Sequence, residues 1–257
     1  IEMKTHYVDP YLLNPAHRVT VNIIGAGGTG SQVLQALSKI DYALFKLGHP
    51  GLFVTVYDND IVTEANIGRQ LFCHSDIGLN KANVLVSRAN AFMGTDWDCC
   101  SELYPTAGGI NTANITISCV DNVKSRIEIG EELRMWAFIN DDERRPMYWL
   151  DFGNQTDRGQ IVLGTISDVE QPQGNGVETE PSLKCVDQMF DLTQIKDEDS
   201  GPSCSLAEAL QKQDLFINPT LCQIGCALLW KMFTDGGINT QGAFVNLCTL
   251  AVNPIKL

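Results

Sequence analysis

A glycine-rich turn near the start of the chain has the composition of a phosphate-binding site. Four glycines, Gly25, Gly27, Gly28 and Gly30, follow an apolar segment, and Ser31 comes directly after them. Glycines let the main chain approach a phosphate group closely, while the exposed N–H groups and the positive dipole end of a following helix favour its negative charge. The turn therefore predicts contact with the phosphates of a nucleotide.

An acidic residue lies where the sugar of that nucleotide would bind. Asp58 ends a second apolar segment, and a carboxylate at that point of a strand accepts hydrogen bonds from both ribose hydroxyls. A surface aspartate in a turn is the alternative, but the position relative to the glycines favours ribose. Asp60, two residues further on, belongs to the same polar loop.

The remainder of that loop supplies amides and cations. It contains Asn66, Arg69 and Gln70, and Lys81 stands at the start of the next predicted helix. Arg69 offers a planar fork suited to phosphate oxygens, and two cations beside a glycine turn suit a triphosphate better than a pyrophosphate. Either cation alone would be interpreted as a solvated surface charge, but the set in this order predicts phosphate contacts.

A further carboxylate follows a later apolar segment. Asp121 ends the run 115–120, with Asn122 and Arg126 next. A carboxylate at a strand end on the ligand side can hold Mg²⁺ between phosphate groups. Asp121 or Asn122 could equally cap the following helix, and the two roles are compatible.

These residues fall at the ends of predicted strands in an alternating pattern. Strands that alternate with helices form a doubly wound sheet, so we predict a Rossmann-like α/β fold whose first half is parallel. The predicted strands are 19–25, 51–58, 96–102, 115–120, 147–152 and 159–165, and the predicted helices are 29–46, 80–92 and 123–137.

The second half of the chain is less regular. Residues 167–203 are rich in Asp, Glu, Gln, Gly, Pro and Ser, which predicts a long flexible segment. A capping box at 205–208 opens a helix. A second helix opens with Asn218 as its N-cap and Pro219 at its first position, and it closes at Gly236–Gly237. Residues 242–252 return as strand, and we expect mixed or antiparallel pairing among the C-terminal strands.

Composition limits the classes of partner. The 257 residues are 44% hydrophobic and 19% charged, typical of a globule with a core, and the net charge of −13 argues against a nucleic-acid partner. No apolar run is long enough to span a bilayer, and no secretory signal pattern opens the chain. We therefore expect a cytoplasmic protein that binds neither nucleic acid nor membrane.

The nine cysteines form no disulfide-like framework, which suits a reducing compartment. Cys222 and Cys226 lie four residues apart, with Cys185 and Cys204 before them. A four-cysteine zinc site could be drawn from this set, but its spacing differs from that of the usual zinc knuckles. Buried, small apolar side chains are the favoured interpretation.

Taken together, the motifs resemble the ThiF/MoeB/HesA family of adenylating enzymes, which activate ubiquitin-like proteins. The resemblance runs over residues 19–165, and Pro202–Leu210 resembles the ThiF branch of bacterial PRTRC gene systems. The motifs that carry the family resemblance are Gly25–Ser31, Asp58–Val62, Asn66–Gln70, Lys81 and Asp121–Asn122.

The resemblance implies a reaction between ATP and the C-terminal carboxylate of a small ubiquitin-like protein, usually ending in Gly-Gly. Attack on the α-phosphate releases pyrophosphate and leaves an acyl-adenylate, with Arg69, Lys81 and Asp121 as catalytic residues and Mg²⁺ on Asp121. It also implies a homodimer. The implied cofactor-binding residues are Gly25, Gly27, Gly28, Gly30, Asp58, Asp60, Asn66, Arg69, Gln70, Lys81 and Asn122.

Many members of the family then pass the acyl group to a cysteine, and Cys204 is the candidate. It directly precedes a predicted helix, whose dipole would lower the pKa of the thiol, although acidic residues 197–199 oppose that shift. Three features depart from the family. The paired CxxC ligands are absent, so no structural zinc is expected; Gly68 replaces a polar residue; and only Arg18 is a candidate for an arginine donated across the dimer.

Two other functions remain as alternatives. One is adenylation of a peptide or another small carboxylate or amide substrate, and the more distant one is an NAD-dependent oxidoreductase or passive Rossmann module. We expect a single ThiF-type adenylation domain over residues 1–257. Its predicted parts are a nucleotide-binding core at 19–165, a flexible crossover-like segment at 167–203, and C-terminal helices and strands at 204–257.

Overall fold

In the computed structural model, an eight-stranded sheet with helices on both faces organises the chain. The structure describes residues 4–107, 111–139, 141–173, 176, 178–192 and 213–257. The strands are β1 (His6–Tyr7), β2 (Val19–Ile24), β3 (Leu52–Tyr57), β4 (Asp98–Cys100), β5 (Ile115–Ser118), β6 (Tyr148–Asn154), β7 (Arg158–Thr165), β8 (Gly237–Ile238), β9 (Thr240–Asn246) and β10 (Ala251–Lys256). The helices are α1 (Pro10–Leu13), α2 (Gly28–Lys46), α3 (Lys81–Met93), α4 (Val123–Met135), α5 (Val186–Met189) and α6 (Ile217–Asp235).

The strand order of the large sheet is β10-β9-β7-β6-β5-β2-β3-β4. The five strands from β6 to β4 are parallel, while β7, β9 and β10 extend the sheet in antiparallel fashion. This arrangement confirms the predicted Rossmann-like α/β fold with antiparallel C-terminal strands. Chain order reverses between β2 and β5, and a crevice for ligands lies at the carboxyl ends of strands at such a switch point.

The alternating side chains of β2 show how the two faces are covered. Val21 and Ile23 belong to the main buried cluster, which also contains Leu37 of α2 and Leu221 of α6. Ile24 points to the opposite face and joins a smaller cluster with residues of α4 and α5. Both faces of the sheet therefore carry apolar side chains that pack against helices.

Two C-terminal predictions were wrong in detail. Helix α6 begins at Ile217 with Phe216 as N-cap, and Asn218 does not cap it, because the Asn218 side chain bonds to other segments. Residues 242–252 are not one strand: β9 and β10 form an antiparallel hairpin, with Asn246 opposite Ala251. The other predicted strands and helices that fall on described residues agree with the structure to within a few residues at their ends. The helix predicted to open at 205–208 lies outside the described residues and stays a prediction.

Short N-terminal elements that the sequence did not predict are bound to the antiparallel side of the sheet. Strand β1 pairs with β8, and Thr5 bridges to Thr179. The His6 ring bonds through Nδ1 to the Glu180 carbonyl (2.7 Å) and through Nε2 to the Tyr148 hydroxyl (2.9 Å). The described residues 178–192 of the polar segment are thereby joined to the start of the chain. In the described part of the chain, no helix combines the length and apolar character needed to cross a bilayer.

Candidate functional site

The glycine turn lies at the carboxyl end of β2 and begins α2. Gly25 donates to the Tyr57 carbonyl (2.9 Å) and has a φ of +92°, and a Cβ there would lie 2.8 Å from the Cys119 carbonyl oxygen. A Cβ on Gly30 would overlap the Gly25 carbonyl oxygen. Both positions therefore require glycine for the turn to fold back on itself.

The first turn of α2 offers unsatisfied main-chain donors. Its N-cap is Gly27, which has no side chain to accept from the N–H groups that follow. A helix start without a capping side chain presents N–H groups and a partial positive charge to a ligand. The geometry suits an anion, as the sequence predicted.

Asp58 binds the glycine turn to the end of β3. Its Oδ2 accepts from the Ala26 N–H (2.6 Å) and its Oδ1 from the Asp60 N–H (2.8 Å). Burial raises the pKa of this carboxyl, and these two hydrogen bonds and nearby Lys81 oppose the rise. Each oxygen keeps a further lone pair, so this structural role leaves room for ribose hydroxyls.

Lys81 does not stand free at the start of α3. Its ammonium lies 2.7 Å from Oδ2 of Asp60, and only 10% of its side chain is exposed. Asn80 caps α3 by accepting from the Asn83 N–H and donates to the main chain at Asp58 and Asp60. The two predicted ligands Asp60 and Lys81 are therefore each other's partner.

Arg69 is held differently. Its Nη1 donates to Oε1 of Gln213 (2.7 Å), while its buried Nε has no hydrogen-bond partner within the described ranges. No carboxylate pairs with it among the residues that the structure describes, and burial lowers its pKa. A desolvated cation beside a neutral amide is suited to receive an anion.

The two neighbouring amide side chains have different roles, one supporting the loop and the other reaching the glycine turn. Asn66 closes the turn that carries the loop, since its Oδ1 accepts from the Thr63 N–H (2.8 Å) and hydroxyl (3.1 Å). Gln70 is buried with its Oε1 unpartnered, and its Nε2 lies against Gly27, 3.9 Å from where a Cβ would stand. Gln70 thus reaches the glycine turn, whereas Asn66 supports the loop.

The turn after β5 brings Asp121 to the same edge of the sheet. Asn122 is the N-cap of α4, because its Oδ1 accepts from the Ser125 N–H (2.8 Å). Asp121 is exposed, and the Asn122 amide reaches it at 3.3 Å. The capping role therefore belongs to Asn122, and the Asp121 carboxylate faces solvent.

A buried ion pair that the sequence analysis missed supports this turn. Asp151 of β6 is fully buried; its Oδ1 and Oδ2 accept from Nε of Arg126 at 3.0 and 3.2 Å, and Ser118 donates to Oδ1 at 2.6 Å. The Arg126 Nη2 also donates to the carbonyls of Val120 and Phe152. The detectable signal was a charged residue within an otherwise apolar strand.

A second missed group joins α6 to the glycine turn. Asn218 accepts from the Thr29 hydroxyl (3.0 Å) and from the Asn154 amide, and it donates to Gln213 (2.9 Å). A buried asparagine at the start of an otherwise apolar helix was its only local sign.

Three other expectations stand apart from this site. Cys204 and the segment Pro202–Leu210 lie outside the described residues, so the thiol and the PRTRC-branch assignment stay predictions. Arg18 is engaged by Asp96 through both guanidinium amino groups and lies over the Phe53 ring, 4.8 Å from its centroid. It therefore stands at the opposite end of β2 from the glycine turn.

Three of the cysteines considered as zinc ligands are buried. Cys222 and Cys226 of α6 have their sulfurs 3.9 Å apart, and Cys185 packs where a Cβ on Gly164 would stand. Burial raises the pKa of the Cys185 thiol to about 12. These side chains behave as small apolar groups, the favoured interpretation of the sequence.

Comparison with known proteins confirms the family resemblance in the first half of the chain. The model of the ThiF family matches residues 8–132. Two solved structures of E. coli MccB, one with ATP and one with selenomethionine MccA, are each 15% identical, with TM-scores of 0.55 and 0.54. They cover 96% and 93% of this chain, which spans 66% and 63% of theirs, and the likeness shows a shared fold. No curated protein sequence matches the chain.

Proposed function

We propose that the protein adenylates a carboxylate with ATP, a function supported by the match of residues 8–132 to the model of the ThiF family. The observation that carries the proposal is Arg69. It is a partly buried guanidinium in the loop that packs Gln70 against the glycine turn, and no described residue partners its Nε or pairs a carboxylate with it. A phosphate group would satisfy both the charge and the missing hydrogen bond.

The residues present fit ATP. The phosphates would be held by the glycine turn, the first turn of α2, Arg69 and the Nε2 amino group of Gln70, with ribose on Asp58. Lys81 would act through its pair with Asp60, which keeps the ammonium at the start of α3. The substrate carboxylate attacks the α-phosphorus, the bond to pyrophosphate breaks, and the cations stabilise the charge that develops on the leaving group.

Asp121 is the residue we assign to Mg²⁺. The described residues contain no group of three or more acidic, histidine or cysteine side chains that could hold a metal alone. Mg²⁺ is commonly bound by one or two carboxylates together with substrate phosphates. A single exposed carboxylate at the end of β5 fits that mode, and the ion would neutralise phosphate charge there.

We propose that the substrate is the C-terminal carboxylate of a small ubiquitin-like protein ending in Gly-Gly, and that the enzyme works as a homodimer. The acidic chain, with net charge −13, favours a partner with a basic face. Cys204 is proposed to receive the acyl group: its sulfur attacks the acyl carbon and AMP leaves. A Cys204→Ala variant that still forms the adenylate but no thioester would support that step.

A second candidate substrate is a peptide or another small carboxylate or amide. The MccB structures favour keeping it, because their ligands include MccA-N7isoASN and a succinimide. These belong to MccB and differ from a Gly-Gly protein tail. The single-domain organisation over residues 1–257 remains part of the proposal.

ATP–pyrophosphate exchange tests the proposed function. We expect exchange that depends on a partner with an intact Gly-Gly end and that Asp121→Ala abolishes without loss of folding. Asp168→Ala, at an exposed carboxylate in another part of the chain, is the matched control and should exchange normally. ATP binding without exchange for any protein tail would favour the second candidate, and absence of ATP binding would refute adenylation.

A further inference from the structure

Asn218 is a polar residue placed where an apolar one would be expected. It is 2% exposed and lies in the first turn of α6, among the apolar residues that cover α2 and the sheet. Burying an amide costs free energy unless its hydrogen bonds are made. Its partners therefore indicate what the residue is for.

Those partners belong to separate segments that meet at the nucleotide site. Oδ1 of Asn218 accepts from the hydroxyl of Thr29, in the first turn of α2, and from the amide of Asn154, at the end of β6. Nδ2 donates to Oε1 of Gln213. A Cβ on Gly28 would overlap this Nδ2, so the amide lies directly against the glycine turn.

Gln213 extends this arrangement to Arg69. Its Oε1 accepts from two donors at once, Nδ2 of Asn218 at 2.9 Å and Nη1 of Arg69 at 2.7 Å. The bond to Asn218 fixes which way the Gln213 amide faces, since its oxygen must point to both donors. The arginine is thus anchored, through one side chain, to the same asparagine that bonds to the first turn of α2.

The chemical nature of the anchor matters. A carboxylate at position 213 would neutralise Arg69 and compete with a phosphate, whereas an amide oxygen carries no net charge. Gln213 also uses a single N–H of the five that a guanidinium offers. Gln213 therefore restrains the Arg69 side chain and leaves the charge and the Nε of Arg69 available to a ligand.

We propose that Gln213, oriented by Asn218, is a positioning residue that holds Arg69 ready for the phosphates of ATP. This inference rests on the proposed function and adds to it a residue outside the family motifs. Holding Arg69 in place before ATP arrives lowers the entropy cost of ordering its side chain on binding. Loss of Gln213 should therefore weaken phosphate binding even though Arg69, which contacts the phosphate, is still present.

A double-mutant cycle on ATP affinity tests the proposal, using the full chain and isothermal titration with Mg²⁺-ATP. The variants are Gln213→Met, which keeps the length and removes the acceptor, Arg69→Met, and the pair. Gln35→Met, at an exposed position on α2, is the matched control. Urea unfolding of each variant checks that the fold is retained.

We expect Arg69→Met to raise the Kd for ATP about tenfold or more and Gln213→Met to raise it about three- to tenfold. The double variant should equal Arg69→Met alone, because Gln213 acts through that arginine. Gln213→Glu should weaken ATP binding beyond Gln213→Met, and Gln35→Met should leave the Kd unchanged.

Other results would overturn the proposal and locate its failure. Equal weakening by Gln213→Met with and without Arg69 would mean that Gln213 only supports the fold. If Gln213→Met instead bound ATP more tightly, Gln213 would be holding Arg69 away from the phosphates. If the unaltered protein binds no ATP, the proposed function itself fails, whereas the first two results refute only the positioning role.

Discussion

Arg69 and Arg126 are two desolvated guanidinium groups near one edge of the sheet, and they are satisfied to very different degrees. Arg126 bonds through Nε to both oxygens of Asp151 and through Nη2 to two main-chain carbonyls. Arg69 bonds to one neutral amide, and its Nε has no partner among the residues that the structure describes. Within that part of the chain the hydrogen bonds of Arg126 are complete, and those of Arg69 are not.

The contrast separates a cation that holds the frame from one that serves a ligand. A buried charge with its full set of partners is costly to disturb but offers nothing to an incoming anion. A buried donor without a partner lowers stability and gains most when a ligand supplies the missing acceptor. The turn that carries Asp121 is supported by the first kind, and the phosphate loop carries the second.

The largest effect on stability should come from removing the carboxylate that pairs with Arg126. Asp151→Asn leaves the buried Arg126 without a counter-charge, and we expect a loss of about 3–5 kcal/mol in the free energy of unfolding. Urea denaturation against Asp168→Asn, an exposed control, measures it. A loss below about 1 kcal/mol would show that the pair does not hold the frame.

Arg69→Met should give the opposite profile. Because it removes a desolvated cation and keeps an apolar stem, the free energy of unfolding without ligand should not fall by more than about 0.5 kcal/mol. Saturating Mg²⁺-ATP should raise the melting temperature of the unaltered protein but much less that of the variant. An equal shift in both proteins would mean that Arg69 is not a phosphate ligand.

Both ring nitrogens of the buried His6 are hydrogen-bonded, and acid should disrupt these bonds. The Glu180 carbonyl can only accept, so Nδ1–H of His6 donates to it, and in the neutral ring Nε2 accepts from the Tyr148 hydroxyl. The Tyr148 oxygen in turn accepts from the Asp9 N–H (3.0 Å). This pattern suits the neutral ring, and burial lowers the pKa of His6 below its ordinary 6.5.

The folded protein therefore binds the His6 proton less tightly than the unfolded chain. The contribution to stability is present above pH 6.5 and is lost as the pH falls through the lowered pKa. Unfolding free energies measured from pH 7.5 to 5 should decline more steeply for the unaltered protein than for His6→Gln. Both retain His49, whose pKa is also lowered by burial, so the difference between the curves reports His6. Parallel curves would contradict the assignment.

The smallest effect should come from a complete but exposed pair. Arg18 and Asp96 are bidentate, yet their side chains are 40% and 72% exposed. Solvent screening limits such a pair, so Arg18→Ala should cost less than about 1 kcal/mol in unfolding free energy. If Arg18→Ala instead cost as much as Asp151→Asn, burial would not be what separates the sites.

Much of the fold could be predicted because its strands and helices follow from local patterns of apolar and polar residues. Apolar runs ending in glycine or aspartate, separated by helical periodicity, located the five parallel strands and their helices. Strand β1 has two residues and α5 has four, too short for any periodicity to register. The split of 242–252 into β9 and β10 was missed because the connecting residues 247–250 contain no glycine, proline, asparagine or aspartate to mark a turn.

The site was predictable only where its residues lie in sequence motifs. The glycine turn, Asp58 and Asp121 are found at the expected edge, since the ends of parallel strands meet there. The pairing of Asp60 with Lys81 and the contacts of Asn218 with Thr29 and Gln213 depend on tertiary packing. Asn218 in particular was assigned a local capping role, because its sequence context fits one.

The close approach of Asn218 to Gly28 means that the side chain at one of these positions limits the side chain at the other. A Cβ at position 28 overlaps the amide at position 218, so a library randomised at position 28 alone should return glycine. A library randomised at both positions could return alanine at 28 together with a smaller residue at 218, leaving the Thr29 hydroxyl to find another acceptor. Glycine at position 28 would then be required by the contact with Asn218 as well as by the nucleotide.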